Sequence, residues 1–354
     1  MTVAFPSIPS GTRTLTVAAL ERLTPTSVHL HFAPLEGMPP YFPGQYVTVL
    51  REHGESRLFR SYSLTSVPGL DDHLALAVRR VSGGPVSGWL TQEVQVGDTL
   101  QVLPPAGRFF LVPHAKTARH AVLIGGGSGV TPLMGMLRAV LHFEPQSRVT
   151  LLYGNRSVDE IMFHDALKAL EEAYPSRLRV IHALERPEEG WTGLEGRLDA
   201  ARLHPFLAAL EDLHRAEFYL CGPPGMLEAA ETTLRALGVP DDQVRAERFS
   251  VAERPKLGGD GGTGSALVNF VLGGQVSSVW VPPDQSLLEA AEAAGFMLDS
   301  SCRAGDCGTC KARLTQGAVN MEHAHGLDEA EAAQGWVLTC VAYPQGDLTV
   351  ELVE

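Results

Sequence analysis

Three cysteines within nine residues, in the segment SCRAGDCGTC, are the feature that most constrains the fold of this chain. Cys302, Cys307 and Cys310 have the spacing C-x4-C-x2-C, and Cys340 follows in a distant segment. The whole chain of 354 residues has 5 cysteines, an odd number and far too few for a disulfide framework. The fold must therefore bring a tight loop and a remote segment together around one centre.

This spacing is typical of the plant-type [2Fe–2S] cluster. Two irons with bridging sulfides need four converging thiolates, three of them from one loop and the fourth from elsewhere. Gly305 and Gly308 allow the loop to curl and to direct backbone N–H groups at the sulfurs, which helps to set the potential. The alternative is a structural zinc site, although such sites favour two separate C-x2-C pairs and this chain has one.

Composition restricts the class of protein further. The chain is 44% hydrophobic and 19% charged, as in ordinary globular domains. Its net charge of -13 disfavours nucleic acid and anionic membranes as partners. The N-terminus, MTVAFPSIPSG, lacks the pattern of a signal peptide, and no apolar segment approaches the length of a membrane span, so we expect a cytoplasmic protein.

The pattern along the chain predicts three domains and a linker. Residues 1–113 contain short alternating segments separated by Pro and Gly, which predict an antiparallel β-barrel. Residues 114–252 alternate strands and helices, including a long helix over 157–174, and predict an α/β domain with a parallel sheet. The glycine-rich segment GGDGGTGS predicts a flexible linker over 253–265. Residues 266–354 resemble a plant-type ferredoxin and predict an α+β, β-grasp-like domain in which Ser286 and Glu289 form a capping box.

The segment LIGGGSGVTPL follows a strand and begins a helix of the α/β domain. Gly125, Gly127 and Gly129 would let the backbone approach a pyrophosphate, and the helix start would offer free N–H groups. Pro132 stands where the motif G-x-G-x-x-G, counted from Gly127, would place its last glycine, so this is not the standard dinucleotide fingerprint. The alternative is that these glycines only permit tight packing.

Two more segments follow strands of the same sheet. YLCGPPGM places Cys221, Gly222 and Pro223 at the ligand-binding edge, with a buried free thiol as the alternative explanation of Cys221. Arg156 and Ser157 follow the second strand, where an acidic residue bonds the ribose of NAD and an arginine accommodates the extra phosphate of NADP. The sequence therefore favours NADPH over NADH, unless Arg156 is only a solvated loop residue.

In the predicted barrel, RSYSLTS combines three useful groups. Arg60 offers a bidentate donor for phosphate, Tyr62 a flat ring and Ser63 a small hydroxyl. A second segment, GGPVSGWL, places Gly84 and Ser87 at what looks like another anion-binding helix start. The predicted barrel therefore has two candidate phosphate sites.

Together these motifs resemble the ferredoxin–NADP reductase superfamily fused to a C-terminal ferredoxin, as in reductase components of bacterial oxygenases, including the phenylacetyl-CoA epoxidase type. The resemblance covers essentially the whole chain. It implies that Arg60 binds the flavin phosphate, that Tyr62 packs on the isoalloxazine and that Ser63 lies near N5. Because FMN has one phosphate, the second phosphate site then favours FAD, with FMN as the alternative. It also implies roles for five further residues: the FAD pyrophosphate would be held by Gly84 and Ser87, the nicotinamide flanked by Thr131 and Cys221, and the flavin approached by Phe249.

The combination of centres predicts an electron-transfer enzyme. A nicotinamide gives up two electrons as hydride and a [2Fe–2S] cluster accepts one at a time, so a flavin must stand between them. We expect electrons to pass from NAD(P)H through the flavin and the cluster to an external acceptor, an oxygenase component of the epoxidase or ring-hydroxylating type. The alternatives are an electron-transfer subunit for another redox enzyme and a cluster-based redox sensor. The acidic charge and the lack of a DNA-reading motif disfavour the sensor.

Overall fold

The computed structural model describes residues 12–37, 40–53, 56–249, 264–296, 298, 300, 302–321 and 324–352. Three large sheets follow one another along the chain in the order that the sequence predicts. The predicted linker 253–265 lies outside the described residues except for its last two, and the exact domain boundaries stay a prediction. Within the described ranges, every helix is too short or too polar to cross a membrane.

The N-terminal sheet is antiparallel and has the strand order β4-β3-β6-β1-β2-β5. An antiparallel bridge between Leu64 and Leu76 joins its two edges, so the sheet closes into the predicted barrel around an aliphatic core. Its elements are β1 (Arg13–Thr24), β2 (Ser27–Phe32), β3 (Tyr46–His53), β4 (Ser56–Ser63), β5 (Ala75–Arg79), α1 (Pro85–Gln92) and β6 (Thr99–Ala106).

The second sheet is parallel throughout, with helices and separate hydrophobic cores on its two faces. Its strand order is β10-β9-β8-β7-β11-β12. The strands β8, β9 and β10 therefore follow one another on one side of β7, and β11 and β12 lie on the other side. Its elements are β7 (His120–Gly126), α2 (Val130–Phe143), β8 (Arg148–Asn155), α3 (His164–Ala173), β9 (Leu178–Leu184), β10 (Leu194–Glu195), α4 (Ala200–Ala208), β11 (Glu217–Cys221), α5 (Pro224–Ala236) and β12 (Val244–Glu247).

One predicted helix in this domain is shorter than its periodicity indicates. The segment 157–174 forms a short 3-10 turn and then a kinked stretch before α3 begins at His164. Phe163 has a left-handed backbone with φ of 60°, and Ile161, Met162 and Phe163 are all buried. Three consecutive buried residues do not fit one face of a helix, so burial of this stretch overrides helical propensity.

The C-terminal sheet is mixed and has the strand order β14-β13-β19-β15-β17, as expected for a β-grasp-like ferredoxin. The predicted capping box is present, because Ser286 accepts from the Glu289 N–H and Glu289 accepts from the Ser286 N–H. The elements are β13 (Ala266–Leu272), β14 (Gln275–Val281), α6 (Leu287–Ala293), β15 (Lys311–Gln316), β16 (Val319–Asn320), α7 (Glu329–Ala333), β17 (Trp336–Leu338), β18 (Tyr343–Pro344) and β19 (Leu348–Leu352).

Candidate active site

The strand order of the parallel sheet reverses between β7 and β11, the topology at which open α/β sheets form a crevice outside the carboxyl ends of their strands. Open α/β sheets bind ligands at the carboxyl ends of strands at such a point. Gly125 at the end of β7 pairs in register with Cys221 at the end of β11. The two segments that the sequence singled out separately are therefore neighbours in the fold.

The two loops pack backbone against backbone. A Cβ on Gly129 would lie 2.0 Å from the Cys221 carbonyl oxygen, and one on Gly222 would lie 2.9 Å from the Gly126 nitrogen. Pro223 closes the contact, since its Cδ would lie 2.7 Å from a Cβ on Gly126. Tight packing therefore explains why glycine is needed at 129 and 222, independently of any ligand.

Gly127 requires glycine for another reason, because its backbone conformation is left-handed, with φ of 54°. Its carbonyl oxygen accepts a hydrogen bond of 2.9 Å from the hydroxyl of Tyr153 on the neighbouring strand β8. A Cβ at Gly127 would lie 2.8 Å from Nη1 of Arg79, which comes from the barrel. The guanidinium of Arg79, which is ion-paired with Glu160, thus lies beside the predicted pyrophosphate loop, and sequence reasoning missed it because it belongs to another domain.

The helix start predicted after this loop is present. A 3-10 turn over Gly127–Gly129 leads into α2 at Val130, and no side chain caps the first N–H groups. Thr131 is buried, and its hydroxyl donates to the Ser128 carbonyl oxygen at 3.0 Å, which braces the loop. Pro132 is buried in the first turn of α2. The role of Thr131 beside a nicotinamide stays a prediction.

Cys221 has an acidic neighbour that the sequence analysis did not identify. Glu247, at the end of β12, is its partner in register, and the Oε2 atom of Glu247 is buried without a hydrogen-bond partner among the described residues. Burial, with the charges of Asp306 and Cys302, raises the pKa of the Glu247 carboxyl. Burial and Glu247 likewise raise the pKa of the Cys221 thiol, so Cys221 stays protonated and is not a thiolate nucleophile.

The predicted flavin-contact residues lie at the end of β4. Arg60 and Tyr62 are two residues apart on β4, so their side chains lie on the same face of the strand. Arg60 Nη1 donates to the Phe59 carbonyl oxygen at 2.7 Å, and burial raises the pKa of Tyr62. Ser63 is buried, and its hydroxyl has no partner among the described residues. A buried hydroxyl without a partner is costly, so Ser63 fits a bound polar group such as a flavin ring nitrogen.

Gly84 and Ser87 flank the start of α1, as the sequence predicts. The Ser87 hydroxyl accepts from the Val81 N–H at 3.1 Å and donates to the Gly84 carbonyl oxygen at 3.3 Å. The hydroxyl thus stabilises the loop before α1. Binding of a pyrophosphate by this loop stays a prediction.

Two predicted sites lie at the margins of the crevice. Arg156 is exposed directly after β8, and the Ser157 hydroxyl donates to Asp159 Oδ1 at 2.5 Å. Phe249 is 50% exposed just after β12, at the last described residue before a gap. The predicted roles of Arg156 and Ser157 beside the coenzyme and of Phe249 beside the flavin stay predictions.

The four cluster cysteines converge as their spacing predicts. All of them are buried, and none forms a disulfide. The backbone N–H groups of Ala304, Asp306 and Cys307 point at Cys302 Sγ at 3.3–3.4 Å, and that of Thr309 points at Cys307 Sγ at 3.4 Å. Hydrogen bonds from the thiols of Cys307 and Cys340 and from the N–H groups of Ala304 and Asp306 lower the pKa of Cys302, while the same contacts raise the pKa of the two donor thiols.

Backbone conformation makes this loop possible. Gly305 and Gly308 have φ of 82° and 73°, and Arg303 is left-handed as well, with φ of 53°. The Thr339 N–H and hydroxyl both donate to the Cys310 carbonyl oxygen, at 3.1 and 3.0 Å, which brings Cys340 to the loop. Four converging thiols with N–H groups aimed at their sulfurs fit a [2Fe–2S] cluster.

The cluster loop packs against the flavin barrel. Cys302, Ala304 and Cys307 form one buried apolar cluster with Tyr46 of β3 and Ala106 of β6. Tyr46 pairs in register with Ser63, the predicted neighbour of flavin N5. The predicted cluster ligands Cys302 and Cys307 therefore pack on Tyr46, and Tyr46 is the strand partner of Ser63 in the predicted flavin site.

An arginine strengthens this contact between domains. The Arg303 guanidinium lies 3.8 Å from the centre of the Phe59 ring, on the same strand as Arg60. Arg303 is oriented by an ion pair with Glu292 of α6, in which Nη1 lies 3.0 Å from Oε2. Sequence reasoning could not identify the contact between Arg303 and Phe59, because the two residues belong to different domains.

We expect Phe59→Leu to slow electron transfer from the flavin to the cluster by about 2- to 30-fold, because a cation–π pair contributes ~0.5–2 kcal/mol to holding the two domains together. Hydride transfer to the flavin should keep its rate. Anaerobic stopped-flow spectroscopy separates the two steps. Phe206→Leu, which removes the contact between Arg179 and Phe206 in the second domain, is the control. An unchanged rate of cluster reduction would show that this contact does not position the cluster.

Comparison with known proteins agrees with this arrangement. Three family profiles match in chain order: an oxidoreductase FAD-binding domain over residues 29–111, an oxidoreductase NAD-binding domain over 123–232 and a 2Fe-2S iron-sulfur cluster binding domain over 270–345. Phthalate dioxygenase reductase shares the fold, with a TM-score of 0.66 and 22% identity over 97% of this chain and 98% of that chain.

Two relatives share the whole three-domain arrangement. A component of the 1,2-phenylacetyl-CoA epoxidase of Escherichia coli is 34% identical over 93% of this chain and 94% of its own length. The ferredoxin reductase component of the 3-ketosteroid-9-alpha-monooxygenase of Mycobacterium tuberculosis is 37% identical over 87% and 84%. The chain is therefore an oxidoreductase of the ferredoxin reductase family that combines FAD, NAD(P)H and a [2Fe–2S] cluster.

Proposed function

We propose that this enzyme takes hydride from NADPH and delivers single electrons through its cluster to a separate oxygenase component. The observation that carries the proposal is the packing of the cluster ligands Cys302 and Cys307 on Tyr46, beside Ser63. The names of the relatives, an epoxidase component and a monooxygenase reductase component, support an oxygenase of the phenylacetyl-CoA epoxidase or ring-hydroxylating type. The cytoplasmic location stays a prediction.

FAD, when bound, converts the two-electron donation of the nicotinamide into single electrons. In this proposal Arg60 would hold a phosphate of the FAD, Tyr62 would pack on its ring system and the buried hydroxyl of Ser63 would donate a hydrogen bond to the ring. Gly84 and Ser87 hold the pyrophosphate through the loop before α1. The buried hydroxyl of Ser63 is the feature that most favours this orientation.

The nicotinamide is assigned to the crevice between Thr131 and Cys221. The Cys221 thiol stays neutral there because burial raises its pKa, so it shapes the crevice and excludes water without reacting. Glu247 stays protonated for the same reason and can donate a hydrogen bond from its buried carboxyl. The glycine loop 125–129 and Arg79 face the pyrophosphate of the coenzyme.

For the coenzyme, we expect kcat/KM to be higher with NADPH than with NADH by about 10-fold or more, as for a charge-assisted contact to the extra phosphate. Arg156 is exposed where that phosphate would lie. Arg156→Ala should lower kcat/KM for NADPH and leave that for NADH unchanged. Arg215, an exposed arginine in the same domain, gives the control Arg215→Ala. A preference for NADH in the unchanged protein would contradict the assignment.

For the partner, we expect electron delivery to slow as salt rises, by about 10-fold between low and high ionic strength. Residues 266–354 hold 12 Asp/Glu against 3 Lys/Arg, a net charge of -9, which attracts a basic surface. Hydride transfer to the flavin should change little. Stopped-flow measurements across a salt series follow both steps. Delivery that does not depend on salt would mean that the acidity serves solubility only.

The function itself is tested by reconstitution. The holoenzyme and NADPH are combined under air with purified epoxidase-type or ring-hydroxylating oxygenase components, and product is measured. Turnover with one class identifies the partner class. If neither class turns over while an artificial one-electron acceptor is reduced rapidly, the oxygenase assignment is wrong and the internal electron path stands.

A further inference from the structure

Histidines cluster on β2 of the barrel, a strand that carries none of the predicted flavin-contact residues. His29 and His31 are two residues apart on β2, so both side chains lie on the same face of the strand. Glu21 of β1 pairs in register with His29. One ligand atom from each of Glu21, His29 and His31 can be chosen so that all three lie within 4.8 Å of one another.

Hydrogen bonds orient these imidazoles as ligands. His29 Nε2 lies 2.8 Å from the Thr65 hydroxyl, which leaves Nδ1 facing Glu21 Oε2 at 3.8 Å. Metal-binding histidines usually have their second nitrogen held by such an outer partner, which fixes the orientation of the ring. His29 therefore already has the environment of a ligand.

A third histidine extends the cluster. His73 Nδ1 lies 2.8 Å from Asp72 Oδ1, and a carboxylate partner places the proton on Nδ1 and a lone pair on Nε2. That Nε2 accepts a hydrogen bond of 3.0 Å from His31 Nδ1, which leaves the lone pair of His31 on Nε2. His73 is therefore an outer partner that orients the His31 ring, as Thr65 orients that of His29.

The two imidazoles of β2 also lie close together. Their ring centroids are only 4.1 Å apart, so one ion can contact both rings.

We propose that Glu21, His29 and His31, with His73 as the outer partner of His31, form a site for a divalent transition metal of the Zn²⁺ class. Imidazole nitrogens with one carboxylate favour Zn²⁺, Ni²⁺ or Cu²⁺ over Mg²⁺ and Ca²⁺, which prefer oxygen ligands. The site is separate from the four cysteines and from the crevice of the parallel sheet. It therefore adds a second metal site to this protein.

The site lies where the barrel meets the second domain. The His29 ring packs edge-on against Phe163, with centroids 5.2 Å apart. Asp71, close to His73 in sequence, pairs with Arg138 of α2 at 2.7 and 2.8 Å. A metal ion that ties β1, β2 and the loop at His73 together would strengthen the barrel surface on which the second domain rests.

The test is equilibrium dialysis of the holoenzyme, with FAD and cluster in place, against Zn²⁺ and separately against Mg²⁺, with metal content measured by mass spectrometry. We expect one Zn²⁺ per chain beyond the cluster iron, no Mg²⁺ and a higher Tm with Zn²⁺. Glu21→Gln and His31→Gln should weaken Zn²⁺ binding by about 10-fold or more and reduce the shift in Tm.

Two controls keep the result decisive. Glu21 is exposed, so Glu21→Gln tests the site without disturbing the core. His142→Ala removes an exposed histidine of α2 and should leave Zn²⁺ binding unchanged. The proposal is overturned if the unchanged protein takes up no additional Zn²⁺, or if Glu21→Gln and His31→Gln bind Zn²⁺ as tightly as the His142→Ala control.

Discussion

Replacing Cys307 by serine is expected to remove the [2Fe–2S] cluster and to leave the flavin reducible by NADPH. Cys307 is one of four converging thiols, and a serine hydroxyl is a much poorer ligand for iron than a thiolate. The iron content should fall to nearly zero. Reduction of a protein acceptor such as cytochrome c should fall by about 100-fold or more, because the cluster is the exit point for single electrons.

Iron and flavin analysis with anaerobic stopped-flow spectroscopy measures this outcome. The fifth cysteine gives a reciprocal control, because Cys221→Ser lies in the crevice of the parallel sheet and should keep its full iron content. The assignment would be wrong if Cys307→Ser retained iron and full activity with the protein acceptor. Loss of flavin reduction as well would indicate that the variant had misfolded.

Replacing Gly129 by alanine is expected to lower the rate of flavin reduction by NADPH by about 100-fold, the cost of displacing reacting groups by ~1 Å. The new Cβ would meet three backbone atoms of the neighbouring loop, at 2.0 Å (Cys221 O), 2.4 Å (Cys221 C) and 2.8 Å (Gly222 N). Backbone atoms cannot rotate away, so the glycine loop and the loop after β11 must separate. The two walls of the crevice would then no longer match the coenzyme.

The matched control is Gly225→Ala in the first turn of α5, where a Cβ would have no heavy atom within 4 Å. This control should retain the rate and the Tm of the unchanged protein. The Gly129→Ala protein should also lose ~1–3 kcal/mol of folding free energy through overpacking. Stopped-flow kinetics and thermal unfolding measure the two effects, and a normal rate in Gly129→Ala would contradict a coenzyme site at this contact.

The sequence was sufficient for features that depend on local spacing. The interval between Cys302, Cys307 and Cys310 indicated the cluster loop, because ligand geometry fixes that spacing. Strand–glycine–helix order indicated the parallel sheet and the helix start at Val130. The same reasoning was wrong for the helix over 157–174, where burial of Ile161, Met162 and Phe163 opposes the local preference.

Several residues in the site carried no usable signal. Glu247 is an ordinary acidic residue in the sequence, and only pairing of β11 with β12 places it beside Cys221. Arg79 reaches the glycine loop from another domain. The Ser87 hydroxyl bonds to the backbone of the loop before α1, a contact that the sequence did not indicate, and its role beside a pyrophosphate stays a prediction.

The amino-acid sequence by itself therefore determined the three domain types, their order and the cysteines that converge in the C-terminal domain, because each depends on periodicity or on spacing within a short segment. Only the tertiary structure decided which groups meet: the glycine loop with Cys221, and Cys302 and Cys307 with Tyr46 beside Ser63. Contacts between residues far apart in sequence depend on how whole sheets pack. Packing is a collective outcome of burial that no single segment specifies.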